Sequence, residues 1–213
     1  TFNAYMKNLD DVSAKLTEYE ALDDSQLTFD MYNNSWNIVY FFPTMSWSAY
    51  DSISKERQEL FVRIENIIIR HYTYNLKTDL PEIEKTLTTY ENTPATELSE
   101  NEYIHLYSSY NNDLHMLNYL QNSETEIDEE LLINGLNTIS KLEAYLLSDA
   151  INGCEIQVDY LNSFIDFLIS EYPDDIERIN NWFNSEKEDL TNSIFYQNLT
   201  PEEQAAINTE LTA

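Results

Sequence analysis

Residues 99–120 read SENEYIHLYSSYNNDLHMLNYL, and two patterns in them decide the fold class. The first is a capping box. The Ser99 hydroxyl can accept one of the free N–H groups of a helix's first turn, and the Glu102 carboxylate can reach back to the Ser99 N–H. The second is a stripe. Tyr103, Leu106, Tyr107, Tyr110, Leu114, Leu117 and Leu120 recur three or four apart, which places them on one helical face.

The same pattern runs through most of the chain. Phe2, Tyr5, Leu9, Val12, Leu16 and Tyr19 form one stripe, and Ile53, Leu60, Phe61, Ile64, Ile67, Ile68 and His71 another. Asp79-Leu80-Pro81-Glu82 predicts the start of a short helix, because proline is tolerated in a first turn. Ser123 to Glu126 repeats the capping pattern ahead of a run from Ile127 to Leu146, with Gly153 read as the C-terminal stop. A stripe over Ile156–Ile169 ends at Pro173, which is read as starting the next helix. Thr200-Pro201-Glu202-Glu203 combines an N-cap, a first-position proline and an acid.

Only two glycines and five prolines occur in 213 residues, too few for the tight turns of a sandwich or a doubly wound sheet. The expectation is an all-α fold: an irregular bundle of about eight to nine short-to-medium helices with no significant sheet. Hydrophobic residues at 42% and aromatics at 13% supply a core and argue against disorder. Residues 1–92 read as a helical part of mixed charge and 93–213 as a strongly acidic helical part, packed as one domain. The segment 91–99, around Pro94, is the candidate linker.

Charge is the strongest compositional feature. Thirty-nine acids face eleven Lys and Arg, a formal net charge of -28. Residues 1–85 hold 14 of the acids and 8 of the bases, and residues 86–213 hold 25 and 3. Such an excess works against direct nucleic-acid binding, which relies on Lys and Arg contacts to phosphate. It also repels an anionic membrane face. No apolar run approaches the ~20 residues of a membrane span.

Catalytic and metal signatures are missing. His71, His105 and His115 never pair four apart. Glu102 and His105 match one Glu-x-x-His element of a di-iron bundle, without the second copy such a site needs. Two isolated glycines exclude phosphate-binding loops. A single cysteine, Cys154, excludes an internal disulfide and reads as a small buried filler. No catalytic residue, metal site or cofactor is therefore expected. A cytoplasmic location in a bacterial host cell is expected. Export stays open, because Thr1 need not be the natural start.

What remains is the clustering of acids. Glu124, Glu126, Asp128, Glu129 and Glu130 form one group, Glu155 and Asp159 a second, and Glu171, Asp174, Asp175 and Glu177 a third. Many sit at helix starts, where the macrodipole stabilises an acid by ~0.3–1 kcal/mol. Capping does not explain the missing bases, since solubility needs a charge of only ~2–8. Acids four apart on a helix lie ~5–6 Å from each other, close to successive phosphates of a nucleic acid. Glu126 with Glu130, Glu155 with Asp159 and Glu171 with Asp175 have this spacing. In composition and helical character the chain is similar to phage-encoded DNA mimics that block restriction or CRISPR enzymes.

The expected function is a non-enzymatic acidic inhibitor or decoy. Its partner would be a basic protein, a nucleic-acid-binding enzyme or regulator, whose nucleic-acid surface it occupies. An immunity or antitoxin protein for one basic toxin is the alternative, and a soluble helical scaffold without mimicry a further one. An uncharged contribution is sought in residues 34–51, NSWNIVYFFPTMSWSAYD, which carry six aromatics and one charge. They read as a buried helix end, a proline break and the approach to a helix near Asp51. Trp36, Trp47 and Tyr50 are the candidate contact residues there.

Overall fold

A chain with two glycines has few ways to end a helix, and how its helices end organises the fold. The last four carbonyls of a helix lack intrahelical partners. A glycine in the left-handed region usually helps satisfy them. Here no residue among those described has a positive φ. Side-chain donors from neighbouring helices take over instead.

The computed structural model describes residues 2–41, 47–123, 125 and 127–211, with the backbone alone at 47–49 and 52. The helices are α1 (Phe2–Glu20), α2 (Phe29–Tyr40), α3 (Trp47–Thr89), α4 (Glu100–Gln121), α5 (Glu129–Leu146), α6 (Ala150–Glu171), α7 (Ile176–Asn192), the single turn α8 (Ile194–Gln197) and α9 (Pro201–Glu210). No described residue lies in a strand, so the fold is all-α. The capping boxes read at Ser99 and Thr200 both form. The Ser99 N–H donates to Glu102 Oε2 at 2.9 Å, and the Thr200 N–H to Glu203 Oε2 at 2.8 Å.

The helices gather into two compact units. Unit one comprises Thr1–Leu80 and Met116–Leu132, and unit two Pro81–His115 and Ile133–Ala213.

In unit one, Tyr5, Leu9, Val12 and Leu16 of α1 are buried, as are Ile53, Leu60, Ile64 and Ile67 of α3. The Val39 carbonyl, in the last turn of α2, accepts from Tyr5 Oη at 3.0 Å and from Arg57 Nε and Nη2 at 3.1 and 3.0 Å. Arg63 donates to Glu20 Oε1 at 2.7 Å and to Ser13 Oγ and Thr17 Oγ1, both at 2.9 Å, stapling α3 to α1. Arg70 closes the end of α1, donating to the Glu20 and Leu22 carbonyls at 3.2 and 2.6 Å and to Asp24 Oδ1 at 2.7 Å. Arg63 and Arg70, seven apart, share one face of α3 and serve α1, while Arg57, six before Arg63, is turned about 120° away and serves α2.

Unit two repeats the device with tyrosine. The buried Tyr103 hydroxyl lies 3.1 Å from the Leu146 carbonyl, at the end of α5, and 2.9 Å from that of Asp149. Tyr145 donates to the Thr93 carbonyl at 2.8 Å. Residues 91–99, read as the candidate linker, hold a short 3-10 turn with Ala95 buried.

Two sequence expectations change. The short helix expected at Asp79 is not separate, because α3 runs for 43 residues through Pro81. An interior proline disfavours a helix by ~3 kcal/mol. Pro81 faces solvent, however, and Leu76, Leu80 and Ile83 are buried on either side of it, which holds the turn helical. Gly153 is not a helix stop. It lies buried inside α6, and a Cβ there would meet Phe195 Cδ1 at 2.6 Å. Phe195 is central to unit two, edge-on to Tyr107 and Tyr110 with ring centroids 5.2 and 5.8 Å away.

An interior Gly→Ala change ordinarily favours a helix by ~1 kcal/mol. Gly153→Ala should instead destabilise the protein by about 1–3 kcal/mol through overpacking against Phe195. Denaturant unfolding checks this, and a gain in stability would show that Phe195 is not fixed over Gly153.

Candidate docking surface

Helix α6 changes character along its length. Its first half buries Gly153, Cys154, Val158 and Leu161. Beyond Leu161 burial stops, although the sequence NSFIDFLISE (162–171) holds five large apolar residues. Leu161, Ile165 and Leu168 form one stripe. Tyr160, Phe164 and Phe167 form a second, four and three residues apart and turned about 100° from the first. The second stripe is a ladder of rings. Tyr160 stacks on Phe164 and Phe164 on Phe167, each pair with centroids 6.1 Å apart, and Trp182 of α7 meets Phe164 edge-on at 4.8 Å.

Tyr160 is 66% exposed, Phe167 53% and Tyr172 58%, and Ile169 and Ile176 are exposed too. Large apolar side chains scattered singly over a surface need no explanation, but the contiguous rings of Tyr160, Phe164 and Phe167 do. Ile169, nine residues on from Tyr160, lies on the other side of the helix. Acids are numerous on the same elements. Asp159, Asp166, Glu171, Asp174, Asp175 and Glu177 are all exposed on α6, on α7 or in the turn between them.

Proline sets the turn. Pro173 has no N–H and disfavours helical backbone in the residue before it. Accordingly α6 ends at Glu171, and the Tyr172 N–H closes it on the Leu168 carbonyl at 2.8 Å. The next helix begins at Ile176 rather than at Pro173. Glu171 and Asp175, expected four apart on one helix, therefore sit on opposite sides of a turn. Glu155 and Asp159 do share a helical face, both exposed on α6. Glu124 and Glu126 lie outside the described residues, and with them the Glu126–Glu130 pair.

The other acidic candidates lie in unit one. Asp128 caps α5, accepting from the Leu131 N–H at 3.1 Å, and Lys77 approaches it at 3.5 Å. That backbone hydrogen bond leads in holding its carboxyl below the usual range. Glu129 and Glu130 are exposed in the first turn of α5. In unit two, Asp175 approaches Arg178 at 3.6 Å, an exposed contact of little energetic weight.

The aromatic candidates also belong to unit one. Trp36 packs on Phe61, with centroids 5.0 Å apart, and stacks beside Tyr40. Tyr50 is half-buried, with the Arg57 guanidinium 5.6 Å from its ring centre. The side chain of Trp47 lies outside the described residues. The stretch containing them divides: Ser35 and Val39 are buried, while Tyr40 and Phe41 are exposed. Helix α3 begins at Trp47, earlier than the expected start near Asp51.

Other chemistry finds little footing. Cys154 is buried, and burial above all pushes its thiol up to about 12, leaving almost no thiolate at neutral pH. Glu102, half of the Glu-x-x-His match, is engaged by Ser99 and by the Tyr90 hydroxyl at 2.9 Å. Among the described residues, no three His, Cys, Asp or Glu side chains are grouped to hold a metal ion. No helix among them is long and apolar enough to cross a membrane.

Reading the sequence missed the ring ladder of α6 and a cleft beside it, lined by residues that include Asn111, Gln157, Tyr160, Glu186 and Asp189. The ladder had a signal: a second apolar stripe on α6 beside the first. The cleft had none, because helices far apart in sequence supply its walls. Compared with protein-family models, curated proteins and solved structures, the chain matches none.

Like charges leave a mark on Glu155. Partial desolvation at its place on the helix surface, and then Glu210, Asp149 and Asp159, raise its carboxyl above the usual glutamate range. The ionised form is thus penalised in the fold. The penalty is fully present above the folded pKa and vanishes as the pH falls below the unfolded value, about 4.3. Glu155→Gln should therefore raise the unfolding midpoint at pH 7 and leave it unchanged near pH 4. A loss at pH 7, or an equal gain at both pH values, would contradict this.

Proposed function

We propose that this chain is a non-enzymatic binding protein that docks on a basic surface of a protein partner. The partner class is a nucleic-acid-binding enzyme or regulator, with the chain acting as an inhibitor or decoy on its nucleic-acid surface. One observation carries the proposal: the ring ladder of α6, with Tyr160 and Phe167 more than half exposed, lies on a helix–turn–helix segment that carries six exposed acids. Interfaces draw affinity from a desolvated aromatic centre and encounter rate from the charged rim. A second copy of a chain carrying -28 is disfavoured as the occupant by repulsion, whereas a basic partner is attracted.

A second reading follows from exposed aliphatic residues on the same two helices. Nucleic acid offers a protein a lattice of phosphates with no aliphatic patch beside it. Exposed Ile169 and Ile176 exceed what charge mimicry requires and favour a matched surface on one partner. That is the arrangement of an immunity or antitoxin protein, with one basic toxin as its target. Neutralising a single toxin while leaving unrelated nucleases active would select this reading over the broader decoy.

The test is binding to purified basic nucleases and DNA-binding regulators. Affinity should fall at least about a hundredfold between roughly 0.05 M and 0.5 M salt, as screening shortens the reach of the charges. Duplex DNA should compete. Replacing Glu171, Asp174, Asp175 and Glu177 by Lys should abolish binding at low salt. Affinity that ignores both salt and these substitutions would contradict the proposal.

A further inference from the structure

Unit two contains a cleft of about 740 Å³ between α4, α6, α7 and Ser193. Its size falls within the ~300–1,000 Å³ of ligand sites. Its floor is apolar, with Tyr107, Leu161 and Leu190 all buried. Tyr160, at one end of the ring ladder, forms a wall. Amide side chains line it as well: Asn111 and Asn112 from α4, and Gln157, which donates to the Tyr107 hydroxyl. Two carboxylates, Glu186 and Asp189, enter from α7. Among the described residues neither forms an ion pair.

We propose that this cleft receives an arginine side chain of the basic partner, and so supplies specificity that surface charge alone does not. The inference rests on the proposed function and deepens it. A guanidinium is planar, carries five N–H donors and is more weakly hydrated than an ammonium. It can lie over the Tyr160 ring while its edge donates to a carboxylate. The amide oxygens of Asn111 and Asn112 provide further acceptors for the remaining N–H groups. A lysine ammonium has only three donors and no flat face to set against the tyrosine. The cleft shares Tyr160 with the uncovered ladder, so a partner lying on that ladder has the cleft within reach of its side chains. A free polyamine would satisfy the charge but not the planar contact.

The test uses the full chain, isotope-labelled for NMR, and three probes at low salt: a short capped peptide alternating Arg and Ser, its Lys counterpart, and spermidine. The Arg peptide should bind at least about tenfold more tightly than the Lys peptide, as a bidentate, ring-stacked contact implies. Saturable shifts should centre on Asn111, Gln157 and Tyr160. Glu186→Gln with Asp189→Asn should weaken the Arg peptide at least about tenfold. The charge-matched pair Asp10→Asn with Asp11→Asn, exposed on α1 and not lining the cleft, should change affinity less than about threefold, the effect of a screened surface charge.

Tyr160→Ala provides a second variant at an exposed position, should the double variant fail to fold. Equal losses in the α7 and α1 variants would reduce the cleft to a general field and overturn the inference. Lys peptide or spermidine binding as tightly, with the same shifts, would overturn the guanidinium assignment. If the Arg peptide binds but the cleft variants leave it unaffected, the basic-partner reading stands and the cleft fails. No binding by any probe would remove both.

Discussion

The unpaired carbonyls at helix ends are the constraint on which the rest of this structure depends. A buried carbonyl without a donor costs ~1–3 kcal/mol, and a bundle of short helices generates many of them. Chains rich in glycine relieve the problem locally by turning the backbone into the left-handed region. This chain does not, and none of its described residues takes that conformation. At several ends the donors come instead from other helices, on long side chains ending in N–H or O–H groups. Tyr5, Arg57 and Arg70 serve unit one in this way, and Tyr103 serves unit two. Each such bond closes one helix and fixes another beside it, while Tyr145 ties α5 to the loop at Thr93.

This arrangement also shapes the charge of the surface. Bases are few, and Arg57, Arg63 and Arg70 are engaged along α3 in holding α1 and α2. Acids are many, and several have local work. Asp128, Glu102 and Glu203 satisfy free N–H groups at the starts of α5, α4 and α9. Beyond these stand the acids around the α6–α7 turn, whose exposure no capping bond explains. They lie on the same helices and turn as the aromatic rings that the fold leaves exposed. A proposal of docking therefore draws on two independent features, the charge excess and the apolar face.

The legible parts of the sequence were the local ones. The box at Ser99 and the stripe behind it need only residues within a few turns, and both form. Capping at Thr200 was readable for the same reason. Pro81 and Gly153 were misread because tertiary packing decided them. Buried Leu80 and Ile83 keep the helix intact through a proline, and the Phe195 ring requires a glycine within a helix. Acid spacing was legible for Glu155 and Asp159 but failed for Glu171 and Asp175, where Pro173 breaks the helix between them. Of the six exposed acids on α6, α7 and the turn between them, five could be named from the sequence and Asp166 was not. The ring ladder was visible only as a surplus of apolar residues on α6, and the cleft depends on three helices meeting.

The central claim, that inter-helical donors are obligatory substitutes for glycine caps, is tested most directly at the Val39 carbonyl. Among the described residues, Tyr5→Phe and Arg57→Met each leave that oxygen one donor residue, while the double variant leaves neither. Unfolding free energies of the three variants and the parent complete a double-mutant cycle. The account predicts a double variant destabilised beyond the sum of the singles by about 1–3 kcal/mol, the cost of orphaning a buried carbonyl. Additive losses would contradict it.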